Sequence, residues 1–350
     1  MKALRIGFMP LTDAAGLMAA VDFGFAAAEG LDVELHKEVS WANLRDKLMV
    51  GHLDAAHFLG AATIAASLGI GQRRFPVRAP LALNRNGNAI TLATRVADEL
   101  LASDPMALDD WRRTAIALAK SAAARRAAGK SPLIFGTVYP FSTHTYLLRR
   151  FLAEGGLDPE RDVEIVVTPP PFAPDLADRG LVDGFCVGSP WNSFAVDSGK
   201  GVIAALGSEI LPNAPEKVLA VPDSSPLLTS ETGERLVRAI VAGSEFAAAP
   251  QNREKLADRL SRADRIDGAA ALIARTLDGE LILDSRGRRR EDLDFVRLSG
   301  PGVHRPSFAD AGWLFDEMIA ARQTSTSSSL HRDEAERVFS PDLFDRAMGR

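Results

Sequence analysis

Two stretches decide the fold: "LRIGFMPLTDAAGLMAAVDFGFAAAEGLDVELHKEVS" (residues 4–40) and "LIFGTVYPFSTHTYLLRRFLAEGGLDPERDVEIVVTPPP" (residues 133–171). Each opens with a short apolar strand and a loop carrying Thr12-Asp13 or Ser142-Thr143. An amphipathic helix follows, closed by Gly30 or by Gly155-Gly156, and then a second strand. The next elements match too. "LRDKLMVGHLDAAHFLG" (44–60) and "FAPDLADRGLVDGFCVG" (172–188) each read as a helix, a glycine, an aspartate three residues on, and a buried strand. Gly51 and Asp54 answer Gly180 and Asp183. Strands alternating with helices predict parallel sheets covered on both faces. The repeat predicts two such lobes, and open α/β sheets bind ligands beyond the carboxyl ends of their strands. The fold expected is therefore α/β, two lobes enclosing a ligand cleft, with lobe 1 formed by residues 1–91 plus 193–350 and lobe 2 by residues 92–192.

The rest of the chain agrees with a two-core protein. Its 350 residues suffice for two lobes, and 46% hydrophobic with 25% charged residues is ordinary for a globular protein. A net charge of −5 argues against a nucleic-acid surface, and "DSRGRRRED" (284–292), flanked by acids and a glycine, reads as a solvated loop. Cys186 is the single cysteine, so an intrachain disulfide and a cysteine metal site are excluded; within "DGFCVG" it reads as a buried strand thiol. No apolar run is long enough to span a membrane. The chain passes from Met1-Lys2 straight into a strand, which predicts a cytoplasmic protein, or a periplasmic one if a leader was removed. Residues 96–130 read as a helix, a turn at Asp104-Pro105 and an alanine-rich helix. "TSTSSS" (324–329) reads as a linker before a last helical stretch, 332–348.

The candidate site follows from where strands end and helices begin. Ser40 and Trp41 head a helix whose buried stripe is Leu44 and Leu48. "NRNGNAIT" (84–91) brings Asn88 and Thr91. Thr143 and His144 head the second unit's helix, Pro170 lies in the proline run after its strand, and "GSPWN" (188–192) and "PEKVLAV" (215–221) bring Gly188, Pro190, Trp191 and Lys217. Each has a plain structural reading: a tryptophan in a helix's first turn is more often core, an Asn-Gly cluster is a turn, and a lone histidine or lysine is ordinary. The set is donor-rich, however. Helix N-termini favour anions, Asn88, Thr91 and His144 can donate, Lys217 carries a full charge, and Trp41 offers a flat face with one N–H. That suits a small planar oxyanion. Four charge-assisted hydrogen bonds give a gross ~6–12 kcal/mol, against about 8 kcal/mol for micromolar binding. No nucleophile elbow, H-E-x-x-H, P-loop or G-x-G-x-x-G follows a strand. His52 and His57 flank Asp54 on different elements and do not suit a shared metal. No catalytic residue, metal or cofactor is expected.

The stretches "PLTDAAGLMAA", "EVSWANLRDKLMVGHLDAAHFLG", "PLALNRNGNAIT", "YPFSTHTYLLR", "GLDPERDVEIVVTPPP", "DGFCVGSPWN" and "PEKVLAV" resemble, in order, the nitrate- and bicarbonate-binding proteins of ABC transporters and their soluble nitrate-sensing relatives. The resemblance implies a type II periplasmic-binding-protein fold closing on one oxyanion. It places Trp41, Asn88, His144, the turn around Pro170 and Lys217 against the ligand, with Ser40, Thr91 and Thr143 in the same set and Gly188, Pro190 and Trp191 at the hinge or cleft. The chain departs from the family pattern at Ser189, where a glutamate is expected, and at Gly16, where proline is usual.

Three functions follow. The first is a cytoplasmic nitrate/nitrite sensor that holds an ANTAR-type RNA-binding antiterminator until the ligand closes the cleft, itself touching neither nucleic acid nor membrane. The second is the substrate-binding component of a nitrate or bicarbonate transporter. Bicarbonate carries an O–H that needs an acceptor, which Glu216 beside Lys217 could supply, and the resemblance associates its binding with calcium. The third is an enzyme resembling thiamine-pyrimidine synthases, with Lys217 on pyridoxal phosphate and His144 as the sacrificial residue.

Overall fold

The computed structural model describes residues 3–324 and 329–350. Its two large sheets have five strands each. In chain order the strands are β1 (Leu4–Phe8), β2 (Val33–Lys37), β3 (Ala55–Leu59), β4 (Val77–Ala82), β5 (Asn88–Ala93), β6 (Leu133–Thr137), β7 (Val163–Val167), β8 (Gly184–Gly188), β9 (Gly201–Leu206) and β10 (Lys217–Pro222). The first sheet runs β2-β1-β3-β10-β4 and the second β7-β6-β8-β5-β9. The two orders are the same, position for position. Three strands in each are parallel, and the fourth is antiparallel to the third: β10 on β3, β5 on β8. Register repeats as well. Leu4 faces Val33 and Ile6 faces Ala55 in one sheet; Leu133 faces Val163 and Phe135 faces Gly184 in the other.

The repeated aspartates explain part of this. Asp54 N donates to Arg5 O at 2.8 Å while its carboxylate accepts from Arg5 N at 2.9 Å. Asp183 does the same to Ile134, at 2.6 and 2.7 Å. Each aspartate joins its own strand to the start of the unit's first strand, satisfying a backbone donor that the ladder leaves open. The helices after β2 and β6 begin alike. Ser40 Oγ accepts from Asn43 N and Ser142 Oγ from Thr145 N, both at 3.2 Å, so both serines are N-caps.

The strands β5 and β10 are exchanged between lobes. Residues 83–87 cross from the first lobe, with Asn86 at φ +58° and Gly87 at φ +103° turning the chain, a backbone region asparagine and glycine tolerate. The second sheet takes in residues 88–93 and 201–206, because β5 pairs as soon as that turn ends and β9 runs antiparallel to it. These strands extend beyond both limits of the 92–192 span expected for lobe 2.

Beyond β10 the Glu231–Ala248 helix crosses the Ala15–Asp22 helix at two glycines. A Cβ on Gly243 would lie 2.5 Å from Gly16 O, and one on Gly16 would lie 2.1 Å from Ser244 Oγ, so the departure at Gly16 serves close helix packing. The last helical stretch is two helices, Ser329–Glu336 and Asp342–Ala347, not one over 332–348. Between them Val338 O and Ser340 N bond the Ala79 backbone and cover the open edge of β4. Pro341 cannot continue a ladder or a helix interior. Within "TSTSSS", residues 325–328 lie outside the described residues. The arginine-rich stretch carries an exposed strand, Arg289–Glu291, paired antiparallel with Glu280–Ile282, whose Leu281 is buried, where a loop is expected.

Candidate functional site

The first lobe brings Asp13 from the turn after β1, Trp41 from the head of its helix, His57 from β3, and Glu216 and Lys217 from the start of β10. Antiparallel register sets Lys217 opposite Leu59 and Leu219 opposite His57, so Lys217 and His57 leave the sheet on one face. The second lobe brings Asn88 from β5 and His144 from the helix behind Ser142. All seven side chains are almost completely buried.

They form one polar cluster. Lys217 Nζ lies 2.7 Å from Asp13 Oδ2 and is paired with the Glu216 carboxylate. His57 Nε2 lies 2.9 Å from Asp13 Oδ1, close enough for an ion pair although its angles are not those of a directed hydrogen bond. Asn88 Nδ2 donates to Glu216 Oε1 at 2.8 Å, and His144 Nδ1 stands 3.6 Å from the same oxygen. Lys217 Nζ sits 5.6 Å from the centre of the Trp41 ring, within cation–π range. The Trp41 and His57 rings are 5.8 Å apart.

Charge states follow from these contacts. Burial alone would raise the Asp13 carboxyl, but the Lys217 ammonium and His57 outweigh it and hold it well below the usual carboxylate range. Burial likewise works against the Lys217 ammonium, and Asp13 and Glu216 outweigh it, so its pKa is raised. His144 has no carboxylate at hydrogen-bond distance; burial pushes it down to about 4 against the pull of Glu216, and at neutral pH it is an uncharged imidazole.

What remains unpaired is informative. Trp41 Nε1, both ring nitrogens of His144 and Asn88 Oδ1 are buried without hydrogen-bond partners. Each such atom costs about 1–3 kcal/mol unless an occupant meets it. A cavity of about 340 Å³ opens between the lobes, lined by Ser40 and Trp41 on one side and by Tyr139, Phe141, Val167 and Pro169 on the other. Trp41 answers both readings of its helix start. It is 1% exposed and packs on Phe58 as core, and it is also a wall of the cleft.

Of the residues expected at the site, Trp41, Asn88, His144 and Lys217 come together. Ser40 lines the cleft mouth with its hydroxyl spent on capping. Thr143 Oγ1 donates to Pro215 O at 2.7 Å and fastens the second lobe to the start of β10. Thr91 Oγ1 accepts from Asn192 Nδ2 at 3.1 Å inside the second lobe, away from the cluster. Pro170 is buried in a short turn behind Pro169, which reaches the cleft. The hinge set lies where the lobes cross. Gly188 faces Leu11 and His144 Nε2, Ser189 O accepts from Thr12 N at 2.9 Å, the Ser189–Pro190 peptide is cis, and Trp191 Nε1 donates to Pro10 O at 3.0 Å.

Asp13, His57 and Asn84 carry structure that the candidate set lacks. Asn84 Oδ1 accepts from Lys217 N at 3.1 Å and fixes the start of β10. Asp13 had a signal, an acid directly after the first strand; His57 had only its place in an apolar strand. His52 is exposed and His57 buried, and among the described residues no cluster of His, Cys, Asp and Glu is placed to hold a metal. The arrangement also speaks against a Schiff-base lysine, because Lys217 would have to lose a proton and two ion pairs before acting as a nucleophile.

Known proteins bear on this arrangement. The model of the NMT1-like family matches residues 1–261. The bicarbonate transport ATP-binding protein CmpC of Synechocystis is 35% identical over 324 residues, 90% of this chain and 45% of that protein. The nitrate/nitrite binding protein NrtA of Synechococcus elongatus is 30% identical over 338 residues, 91% of this chain and 71% of that one. The chain spans about half the length of the ATP-binding relatives it matches. In fold it is similar to the crystal structure of the periplasmic nitrate-binding protein NrtA from Synechocystis PCC 6803, with a TM-score of 0.88, 24% identity, and coverage of 99% of this chain and 88% of that one.

Proposed function

This chain belongs to the NMT1-like family, and from that premise we propose that it binds one small oxyanion, nitrate or nitrite, between its lobes. The observation that carries the reading is the buried Trp41 Nε1–H, left without a partner beside the Lys217 ammonium and the free His144 ring. Trp41, Lys217 and His144 donate to the anion, Asn88 holds Glu216 in place, and the Gly188–Trp191 crossing lets the lobes close. The nitrate/nitrite binding relative supports this ligand class.

Bicarbonate is the second reading, because Asn88 Oδ1 is a buried acceptor with nothing to accept. The amide is fixed by Glu216, so that oxygen suits an O–H, which nitrate lacks. A bicarbonate transport relative supports it. A thermal-shift titration against nitrate, nitrite, bicarbonate with and without calcium, and sulfate decides. A ligand at a hundred times its Kd adds about 2.7 kcal/mol to stability. A shift with nitrate or nitrite supports the first reading, a shift with bicarbonate alone the second, and no shift with any of them sinks the anion site.

The cellular role divides in the same way. The names of the relatives support a transport-binding component that hands the anion to membrane subunits. The motif resemblance supports a cytoplasmic sensor whose closure releases an ANTAR-type antiterminator, a population shift driven by tighter binding to one state. Among the described residues no helix is long and apolar enough to cross a membrane. Co-purification with an RNA-binding partner, lost on adding nitrate, is the sensor's outcome; a complex indifferent to nitrate, or none, removes it.

A further inference from the structure

We propose that the site takes its monovalent oxyanion together with one proton, which His144 carries. The inference rests on the oxyanion reading above, and the charge count of the buried polar cluster, which shares Trp41 with the cleft wall, carries it. Asp13 and Glu216 set two carboxylates against the single ammonium of Lys217. His57, held against Asp13, can at most bring that count to zero. A monovalent anion then leaves a negative charge uncompensated in a closed, buried site, an arrangement protein interiors do not sustain.

His144 is the group placed to correct it. Glu216 and Lys217 face it from β10, and Asp13 from the turn after β1, with His57 of β3 behind Asp13. From β8 it meets the Gly188 backbone, and the nearby Cys186 thiol stays neutral because burial pushes its pKa up. Both ring nitrogens are buried and unpartnered. An uncharged ring can donate through one nitrogen only. The imidazolium donates through both: Nδ1 toward Glu216 Oε1, now 3.6 Å away, and Nε2, beside Gly188, toward the anion. In the empty protein, burial keeps the ring neutral; an anion arriving against it supplies the second negative charge that an imidazolium needs. The proton comes from water or a buffer acid and goes to the free ring lone pair, and no bond of the anion breaks.

The experiment is calorimetric titration of the full chain with potassium nitrate and, separately, potassium nitrite, at pH 7 in phosphate and in Tris, whose ionisation enthalpies differ widely. Uptake of close to one proton per anion is expected. The Kd should rise up to tenfold per pH unit on the alkaline side of the bound ring's titration. His144→Gln should still bind, more weakly, with a heat independent of buffer. Binding with a buffer-independent heat and a Kd flat from pH 6 to 9 overturns the proposal and leaves the oxyanion reading standing. Uptake that persists in His144→Gln overturns the assignment to His144. Absence of binding by either anion overturns both this proposal and the nitrate/nitrite reading.

Discussion

The two ends of each sheet make opposite use of the same residue type. At the amino-terminal edge, Asp54 and Asp183 occupy matched places, bond matched backbone groups and pair with Arg5 and Arg95. At the carboxyl edge the match breaks. The first unit offers Asp13 and Trp41; the second offers His144 and prolines. One edge repeats because it serves the backbone, whose needs are identical in both lobes. On the proposed reading the other differs because the two lobes meet one ligand from opposite sides, with a fixed charge on one side and a protonatable donor on the other.

Removing Lys217 breaks the carboxyl edge most severely. Lys217→Met leaves Asp13 and Glu216 buried with their shared cation gone, so a loss of about 3–5 kcal/mol in unfolding free energy is expected, along with loss of nitrate binding. Adding Asp13→Asn to that variant should restore part of the stability and none of the binding. Urea denaturation and calorimetry read the two effects; a single variant as stable as the parent would refute the ion-pair account.

His144 gives the next largest effect, through pH. Its folded pKa of about 4 lies below the ordinary 6.5. Between those values the unfolded chain holds a proton that the folded chain does not. Stability therefore falls as pH drops through that window and is unaffected above it. The loss in the empty protein is on the order of 3 kcal/mol, from a shift of about two and a half pKa units. Denaturation midpoints of the parent and of His144→Gln at pH 7 and pH 4.5 should diverge by that route. If both fall equally, other groups carry the acid sensitivity. Asp13, whose pKa is lowered, loses its own contribution only at more acidic pH.

Much of this was legible in the sequence because local rules produced it. The repeat, the serine caps and the aspartates after Gly51 and Gly180 all act over short separations or on a neighbouring strand. Trp41, Asn88, His144 and Lys217 were legible as candidates because strand ends and helix starts are short-range features too. Other members of the site depend on contacts no local pattern encodes. His57 meets Asp13 only because β1 and β3 pair in a particular register. Lys217's charge is committed to Asp13, 204 positions away in the chain. Thr143 and Asn86 carry the donors or acceptors expected of ligand contacts, yet the crossing between lobes uses them, and Thr91 is spent inside the second lobe. Asn86 Oδ1 accepts from Ala214 N at 2.7 Å, and Asn86 Nδ2 donates to Asp294 O at 2.8 Å. A composition of amides at a crossing does not distinguish holding the chain from holding a ligand.

Trp41→Phe is a smaller and more selective change at the carboxyl edge. It keeps an aromatic ring against His57 and Lys217 and removes the unpartnered indole N–H. Nitrate affinity should fall by about tenfold, one hydrogen bond to a charged group. Stability should change by no more than about 1–2 kcal/mol, the lost packing of a buried ring being offset in part by removal of an unsatisfied donor. Affinity unchanged from the parent would show that the indole N–H faces no ligand.

The amino-terminal edge should respond in the opposite sense, and the two aspartates there should differ chiefly through their exposure. Asp183 is largely buried beside a half-exposed Arg95, whereas the Arg5–Asp54 pair has both side chains about a quarter to a third exposed. Solvent screens the second pair, so Asp54→Asn should cost under about 1 kcal/mol, and Asp183→Asn about 1–2 kcal/mol through its weakened hydrogen bond to Ile134 N. Neither should alter nitrate affinity by more than about twofold, because both lie at the far end of their strands from the cleft. A large affinity change in Asp183→Asn with Asp54→Asn silent would mean that the second lobe transmits strain along β8 to Gly188 and His144, and that its amino edge serves the ligand as well as the backbone.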